Sequence, residues 1–430
     1  MIEIIGAVEY KAKYEKRKQI SKEVTAVVAD IIANVIKRGD CALREYTEKF
    51  DGCVPDRFEM PPSALDDAYR AIGAEFIGTM ERAAENIKNF HRRQIRNDFI
   101  MVPGDGIVLG QRILPLKRAG IYIPGGTAAY PSSVLMNCIP AKLAGVGEVV
   151  MATPPSRSGR DNTGILAAAK IAGVDRVFSI GGAQAIAALA YGTQTVPRVD
   201  KITGPGNAYV AEAKRQVFGD VGIDMIAGPS DILIIADESA DPSLVAADML
   251  SQCEHGGDSS AVLITDSGEL AGQVSKQIEL QLKALPREKT AREAIDNNSA
   301  IIIAESIEQA FAVSNEIAPE HLEIFLDDAL NYLDKVSNAG SVFLGKYTPE
   351  AVGDYYAGPN HTLPTSGSAR FSSPLSVDDF IKKSSFSFYT IEALNGAAGD
   401  VVRFAENEGL KAHAVSVQKR TGAANNEQQP

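Results

Sequence analysis

From residue 119 onward, short apolar runs alternate with helical stretches, and this alternation restricts the fold more than any other feature. The runs include AGIYIP, EVVMATP and RVFSI, with helical segments such as SSVLMNCIPAKLAG between them. Strands separated by helices pair in parallel, because the chain must cross over the sheet between them. A second series begins at DILIIAD and ends at SVFLG. The pattern predicts an α/β protein with two tandem Rossmann-like modules and parallel sheets, plus small N- and C-terminal helical segments.

Two helical patterns precede residue 119. Apolar residues recur at helical spacing from Ile20 to Val35, and Gly39 offers a stop. A second amphipathic pattern covers roughly residues 64 to 96 with interruptions. After Phe371 the pattern is helical and mixed, and it ends in a tail, TGAANNEQQP, that we expect to be disordered.

We therefore expect a discontinuous organisation of the chain. The predicted regions are an N-terminal segment (1–18), a larger α/β domain (19–120 and 231–373), a Rossmann-like domain (121–230) and a C-terminal helical segment (374–430). A chain of 430 residues is too long for one ordinary core, so more than one domain is expected.

Composition excludes several classes of function. The net charge of −12 argues against nucleic acid or an anionic membrane as the main partner. No apolar run approaches the length of a membrane span, and the start lacks the pattern of a signal peptide. The four cysteines show no CxxC spacing and are interpreted as reduced thiols. We expect a soluble cytoplasmic protein.

Three glycine-rich turns follow strands of the first module: YIPGGTAAY, SIGGAQAIA and TGPGNAYV. Each places backbone N–H groups at the carboxyl end of a strand, where parallel sheets bind ligands. None matches the full dinucleotide fingerprint, and the third has Tyr209 where a glycine belongs. The pattern leaves two interpretations open, a dinucleotide held in a non-standard way or glycines that only make tight turns.

Four of the five histidines lie in polar, punctuated segments with an acidic residue nearby. They are His255, His321, His361 and His413. The fifth, His91, lies in FHRRQIR and is expected to be solvated on a basic helical surface. One histidine belongs to GDYYAGPNHTLPTSGSAR, which we predict to be an ordered loop and neither helix nor strand. Scattered histidines of this kind indicate one site assembled from distant segments.

Gln252 and His255 are three residues apart in the predicted last turn of a helix, so their side chains point to one side. With Asp354 and His413 they would suit a divalent cation of the zinc or manganese kind. Asp354 and His361 could equally be surface residues of the loop.

Glu320 and His321 follow Pro319 and precede a predicted strand, so that their side chains should diverge. Two general acid/base groups on neighbouring residues could serve two different protons. The alternative is a helix-to-strand junction with polar surface residues.

Taken together and in order, these segments resemble the histidinol dehydrogenase family. The resemblance covers nearly the whole chain and includes YIPGG, GGAQAIAALAYGT, DKITGPGNAYVAEAKRQV, DMLSQCEHGGDS, APEHLEI and EGLKAHAVS. It implies the oxidation of L-histidinol to L-histidine through the aldehyde, with two NAD molecules reduced, as the last steps of histidine biosynthesis. It also implies a homodimer with swapped segments, and dimer contacts for residues 374–430.

The resemblance implies roles for particular residues. The implied zinc ligands are Gln252, His255, Asp354 and His413. The implied catalytic pair is Glu320 and His321. Substrate contacts are implied at Ser230, His361 and Glu408, together with His321 and the zinc ligands. NAD contacts in the 121–230 domain are implied at Tyr122, Gln184 and Asn207. Glu408 and His413 would complete the site of the partner subunit.

Two other functions remain open at the level of sequence. One is a paralogue that oxidises a different polar alcohol, although Glu408 and the Ser230 loop suit a cationic amino alcohol. The other is a zinc hydrolase in which Glu320 activates a metal-bound water, but this gives no account of Tyr122, Gln184 and Asn207. A protein with a purely structural metal site is disfavoured, because it would give no function to Glu320 and His321.

Overall fold

The computed structural model describes residues 1–7, 9–10, 22–125, 130–156 and 162–421. Most of the predicted tail, the start of the first predicted helix and residues 126–129 of the first glycine-rich turn lie outside the described residues. The chain divides into two compact units. The larger unit comprises Met1–Ile95 and Leu116–Phe380, and the smaller comprises Arg96–Pro115 and the segment that begins at Ile381.

Strands are numbered here in chain order over the described residues. They are β1 (Glu3–Gly6), β2 (Phe99–Gly104), β3 (Ile107–Pro115), β4 (Arg118–Tyr122), β5 (Glu148–Thr153), β6 (Arg176–Ser179), β7 (Lys201–Thr203), β8 (Gly222–Ile223), β9 (Asp231–Ala236), β10 (Ser260–Thr265), β11 (Ala300–Ile303), β12 (His321–Phe325), β13 (Ser341–Leu344) and β14 (Ile381–Tyr389).

The α-helices precede, connect and follow these strands. Those of the larger unit are Lys22–Arg38, Asp40–Asp51, Ser63–Ala71, Ala74–His91, Pro131–Leu143, Thr163–Ala172, Gly182–Tyr191, Ala208–Val217, Pro242–Cys253, Gly268–Leu282, Glu288–Asn298, Ile307–Ile317 and the short Glu350–Val352. The smaller unit contains Ile391–Asn407 and Lys411–Thr421.

Two parallel sheets organise the larger unit and confirm the predicted fold class. The first has the strand order β6-β5-β4-β7-β8 and the second β1-β11-β10-β9-β12-β13. Their described pairs are parallel. In both sheets the strand order reverses beside the first strand of the βαβ series, which places one switch point between β4 and β7 and the other between β9 and β12.

The central strands are apolar because helices cover both faces of the sheets. Residues 232–236 of β9 are buried, and so are residues 149–153 of β5. Side chains from opposite faces of each sheet enter separate core clusters. The N-terminal segment, which was predicted to be helical, contributes β1, because Ile2 and Ile5 enter the core beside β11.

The pattern over residues 64–96 forms two helices, Ser63–Ala71 and Ala74–His91, which are separated at Ile72 and Gly73. The prediction that His91 is solvated was wrong, since its side chain is buried. Its Nδ1 lies 2.9 Å from the Ile87 carbonyl oxygen, and its Nε2 lies 3.4 Å from Asn360 Nδ2. The loop that carries Asn360 covers the end of the helix, and the helical pattern alone does not reveal that contact.

The smaller unit contains an antiparallel sheet with the order β14-β3-β2. The segment after Phe371 was predicted to be helical and mixed, but it includes the nine-residue strand β14 before its two helices. Phe386 of β14 packs directly over Gly110 of β3, where an added Cβ would lie 2.4 Å from the ring. Long-range pairing across about 270 residues explains why local pattern did not reveal this strand.

Over the described residues, no helix combines the length and the apolar character that crossing a membrane requires.

Candidate active site

Glu320 and His321 lie at the amino edge of the second sheet, where β9 and β12 begin side by side. The Glu320 N–H donates to Asp231 Oδ1 at 2.8 Å, and the Asp231 N–H donates to Glu320 Oε2 at 3.0 Å. His321 Nδ1 lies 2.9 Å from the Asp231 carbonyl oxygen, which can only accept, so Nδ1 carries a proton. Both residues are almost fully buried, at 6% and 3% exposure, unlike the surface junction considered above. Nε2 is therefore the ring nitrogen that remains for chemistry.

Carboxylates surround His321 Nε2. Asp354 Oδ1 lies 3.6 Å away and Glu350 Oε1 lies 4.0 Å away. Ligand atoms of these three residues all lie within 4.8 Å of one another, which is close enough to share one cation. Glu350 was missed in the sequence. Its position four residues before Asp354 in a turn-forming segment was the available signal, because that spacing points two carboxylates to one side of a helix.

Burial and crowding of charge shift the pKa values in this cluster. Burial raises the pKa of Glu320 to about 8, and burial together with the Asp354 charge raises the pKa of Glu350 to about 8. For His321, burial lowers the pKa, but Glu320, Asp354 and Glu350 outweigh it and bring the value to about 10. Burial also acts to raise the pKa of Asp354, yet His321 and His361 hold it well below its usual range. Asp354 is thus the carboxylate of the cluster that keeps its negative charge.

Asp354 lies on a π-helical turn, Gly353–Ala357, that continues the short helix Glu350–Val352. The segment predicted as an ordered loop is therefore helical at its start, and a 3₁₀ turn occupies Ser368–Arg370. At Gly353 an added Cβ would lie 2.4 Å from the Phe343 ring, so only glycine lets the turn contact β13 this closely. Turns of this rare type are frequent at functional sites.

His361 connects this turn to the first module. Its Nδ1 lies 3.0 Å from the Asp354 carbonyl oxygen, and its Nε2 lies 3.1 Å from Ser133 Oγ on the helix Pro131–Leu143. The carbonyl can only accept, so Nδ1 is protonated and Nε2 accepts from the serine hydroxyl. Burial lowers the pKa of His361. The Asp354 charge acts in the opposite direction, so burial and the neighbouring carboxylate have opposing effects on the pKa of this ring.

Gln252 and His255 lie at the end of the helix Pro242–Cys253. The Gln252 side chain is fully buried, and neither its oxygen nor its nitrogen has a hydrogen-bond partner among the described residues. The preceding residue, Ser251, donates from Oγ to Glu350 Oε2 at 3.3 Å, so this helix end lies at the carboxylate cluster. His255 is exposed at the cluster, and partial removal from water lowers its pKa while the Asp354 charge acts to raise it.

Ser230 is half-buried and immediately precedes β9. The loop before it packs against the end of the segment that carries His361. The Gly228 N–H donates to Thr365 Oγ1 at 2.5 Å, and an added Cβ at Gly228 would lie 2.1 Å from Ser366 Oγ. These contacts bring the Ser230 loop and the His361 loop together at one edge of the sheet.

Tyr122 is the last residue of β4, and Gln184 and Asn207 follow β6 and β7, so all three lie at the carboxyl edge of the first sheet, around its switch point. The Gly182 N–H donates to the Tyr122 hydroxyl at 2.9 Å, and burial raises the pKa of that phenol to about 12. Gln184 is 1% exposed, and neither polar atom of its side chain has a partner among the described residues. Asn207 is exposed and caps the next helix by accepting from the Tyr209 and Val210 N–H groups.

Glu408 and His413 belong to the smaller unit. Glu408 follows the helix Ile391–Asn407, and its N–H donates to the Phe404 carbonyl oxygen at 3.0 Å. His413 lies in the first turn of the helix Lys411–Thr421. Both side chains are exposed. Their predicted roles depend on a second subunit and stay predictions.

Known proteins match this chain over almost its full length. A family model described as histidinol dehydrogenase matches residues 14–421. Histidinol dehydrogenase of Clostridium acetobutylicum is 50% identical over 415 residues, which covers 96% of each chain. That of Bacillus cereus is 53% identical over 401 residues, which covers 93% of each chain.

A solved structure agrees with this match. The crystal structure of histidinol dehydrogenase from Elizabethkingia anophelis superposes with a TM-score of 0.92 at 39% identity, and the match covers 99% of each chain. The agreement in sequence and in fold confirms the resemblance seen in the sequence motifs. The chain is an oxidoreductase that belongs to the histidinol dehydrogenase family.

Proposed function

We propose that this protein oxidises L-histidinol to L-histidine through L-histidinaldehyde and reduces two NAD molecules for each substrate. Relatives named for this activity match at about half identity over nearly the whole chain. The observation that carries the proposal is the meeting of Glu320 and His321 with Asp354, His361 and the end of the Gln252 helix at one buried edge. An acid–base pair beside a set of metal donors is what a metal-assisted alcohol oxidation needs.

The donor set fits zinc, with Gln252, His255, Asp354 and His413 of the partner subunit as the proposed ligands. A buried polar group without a hydrogen bond is unfavourable by about 1–3 kcal/mol, and ligation through the Gln252 oxygen would satisfy that atom. Imidazole nitrogens and carboxylate oxygens are common zinc ligands. When bound, the zinc would orient the amine and imidazole of the substrate and would offset part of the negative charge around His321.

The carboxyl edge of the first sheet is the proposed NAD site, with contacts from Tyr122, Gln184 and Asn207. Ligands of α/β sheets bind at this edge beside the switch point. Gln184 supports the assignment, because its buried amide lacks a partner within the described chain and can bond a ligand.

The His321 ring is held in the orientation that a general base requires. Its protonated Nδ1 bonds to the Asp231 carbonyl oxygen, so the Nε2 lone pair can accept the proton of the carbinol hydroxyl as hydride leaves the carbon. Neutral His321 is the active form, because only an unprotonated Nε2 can accept that proton.

Glu320 is the proposed base for the second half of the reaction. The aldehyde cannot lose hydride until water adds to it, and a carboxylate with a raised pKa is a stronger base than an ordinary one. Glu320 would take a proton from that water, and His321, once it has released the first proton to solvent, would deprotonate the hydrate. The hydrogen bond from the Asp231 N–H holds one Glu320 oxygen in place and leaves the other for water.

A second copy of this chain is the proposed partner, with Glu408 and His413 of the partner subunit completing each site. The smaller unit exposes large apolar side chains, including Phe99, Ile100, Val102 and Phe404 at 53–74% exposure. Apolar surface of this kind commonly marks a protein interface.

The proposal is tested by mixing purified protein, zinc and L-histidinol with NAD and following absorbance of the reduced nicotinamide. We expect two NADH for each L-histidinol, and loss of activity with a chelator that zinc reverses. A paralogue with another substrate would give NADH from a different alcohol and none from L-histidinol. A zinc hydrolase would give no NADH from any alcohol.

A further inference from the structure

A buried ion pair lies beneath the third glycine-rich turn. Lys214 belongs to the helix Ala208–Val217, which starts where the turn ends, and Asp224 directly follows β8. The ammonium and carboxylate groups are in contact, and each side chain is only 1% exposed. A pair this deeply buried is unusual for lysine and aspartate.

Both charges bind the same residue of the turn, Gly204. Lys214 Nζ donates to the Gly204 carbonyl oxygen at 2.9 Å, and the Gly204 N–H donates to Asp224 Oδ2 at 2.7 Å. The other carboxylate oxygen accepts the Met225 N–H at 2.6 Å. Both backbone polar groups of one glycine are therefore held by opposite charges.

The contacts of Lys214 and Asp224 with Gly204 are called the clamp here. The conformation of Gly204 explains why the turn needs it. Its φ is +114°, a region that L side chains rarely adopt, and an added Cβ would lie 2.1 Å from the Tyr122 carbonyl oxygen. Glycine is the residue with the largest conformational freedom, so the turn needs outside contacts to hold one shape. The clamp sets the position of the turn between Tyr122 on one side and Asn207 on the other.

A contribution to folding stability does not by itself explain a buried ion pair. The cost of removing both charges from water often cancels their attraction, and replacement of the pair by apolar residues is frequently neutral or stabilising. We propose that Lys214 and Asp224 are positioning residues for the nicotinamide cofactor, acting through the Gly204–Asn207 turn. This role rests on the proposed NAD site. It does not require either side chain to touch the cofactor.

The test compares NADH affinity of the full-length protein and its variants by fluorescence titration without L-histidinol, together with KM for each substrate. In Lys214→Met/Asp224→Asn both charges are removed with little change in volume. We expect NADH binding to weaken by about 10- to 100-fold, the size of effect that follows from misplacing a binding group by about 1 Å. KM for NAD should rise in parallel, while KM for L-histidinol and zinc content stay unchanged.

The matched control is Arg215→Met, on the same helix and next to Lys214. Arg215 is half-exposed and forms a two-pronged ion pair with Glu212 of the same helix, at 2.7 and 2.6 Å. We expect this variant to keep wild-type NADH affinity even if its melting temperature falls. Equal weakening in both variants would show a general structural effect and overturn the positioning role.

If the double variant does not fold, Asp224→Asn replaces it, since this change keeps the shape and one acceptor. Wild-type NADH affinity in a folded Lys214→Met/Asp224→Asn or Asp224→Asn variant would overturn the inference and leave the proposed function intact. Failure of the wild-type protein to bind NADH would instead contradict the proposed function.

Discussion

The five-strand order of the first module recurs in the second, where β1 adds a sixth strand, but the candidate sites lie at opposite edges of the two sheets. In the first sheet the candidate site residues lie at or just after strand ends, carry uncharged side chains and belong to or adjoin glycine-rich turns. In the second sheet the site lies at the amino edge, where Glu320, His321 and two further carboxylates crowd together. The comparison teaches that strand order alone does not decide which edge of a sheet carries the candidate catalytic residues. Switch points suit the binding of a large ligand, whereas proton transfer needs charged groups held in fixed orientation.

The largest expected effect is at the charged edge. His321→Asn removes the proposed base, and we expect turnover to fall by about 10²–10⁴, the usual contribution of a positioned base. Zinc content, measured by atomic absorption, should stay at the wild-type level. Loss of zinc would instead identify His321 as a ligand. That outcome would favour the cation position between His321, Glu350 and Asp354.

Glu320→Gln should separate the two halves of the reaction. Glutamine can still accept the Asp231 N–H but cannot take a proton from water, so we expect oxidation of the aldehyde to slow by about 10²-fold or more. In a single-turnover experiment the first NADH should form at a near-normal rate and the second slowly. Equal slowing of both phases would argue that Glu320 acts on the first step as well.

Gln252 at the proposed zinc site and Gln184 at the proposed NAD site both have buried side-chain amides, so the same substitution can be made at each site. Gln252→Leu and Gln184→Leu each remove an amide that lacks partners among the described residues, and each should raise the free energy of unfolding of the metal- and cofactor-free protein by about 1–3 kcal/mol. We expect Gln252→Leu to lose zinc and keep NADH binding. Gln184→Leu should keep zinc and weaken NADH binding about tenfold, the equivalent of one lost hydrogen bond.

Chemical denaturation, zinc analysis and NADH titration measure these differences. Loss of zinc from Gln184→Leu would contradict the assignment of zinc and NAD to two separate sites.

The smallest effect is expected at an ion pair outside both edges. Arg292 hydrogen-bonds to Glu279 and lowers its pKa to about 2, in contrast to the raised values of Glu320 and Glu350. A lowered carboxyl pKa contributes stability above the unfolded value of 4.5, and this contribution is lost as pH falls toward about 2. Glu279→Gln should therefore lower the free energy of unfolding by about 1 kcal/mol at pH 7 and by progressively less in acid.

The control for that prediction is Glu269→Gln on the same helix. Glu269 is exposed and accepts a hydrogen bond from Gln273. Its substitution removes one carboxylate from the same helix without breaking an ion pair with Arg292, and we expect the free energy of unfolding at pH 7 to stay close to the wild-type value. If both variants lost the same free energy of unfolding with the same dependence on pH, the Glu279–Arg292 ion pair would not be its cause.

Much of the candidate site could be proposed from sequence because its residues lie in distinctive short segments. Gln252-x-x-His255 predicted two side chains on one side of a helix end, and the glycine-rich turns predicted the carboxyl edge of the first sheet. Glu350 was missed, since its spacing from Asp354 could show only that the two carboxylates point to one side, and not that the chain returns Glu350 to within 4.0 Å of His321. The burial of His91 and the pairing of β14 with β3 were missed for the same reason.

The sequence by itself determined the two parallel sheets, because a strand's apolar run and a helix's spacing are local properties that neighbouring residues impose on one another. It also determined the family, through motifs that occur in order along nearly the whole chain. Only the tertiary structure decided which acidic and basic side chains lie next to one another in the candidate active site. The bonds between Asp231 and Glu320 join residues 89 positions apart, and the raised pKa values follow from burial and from charges that distant segments bring together.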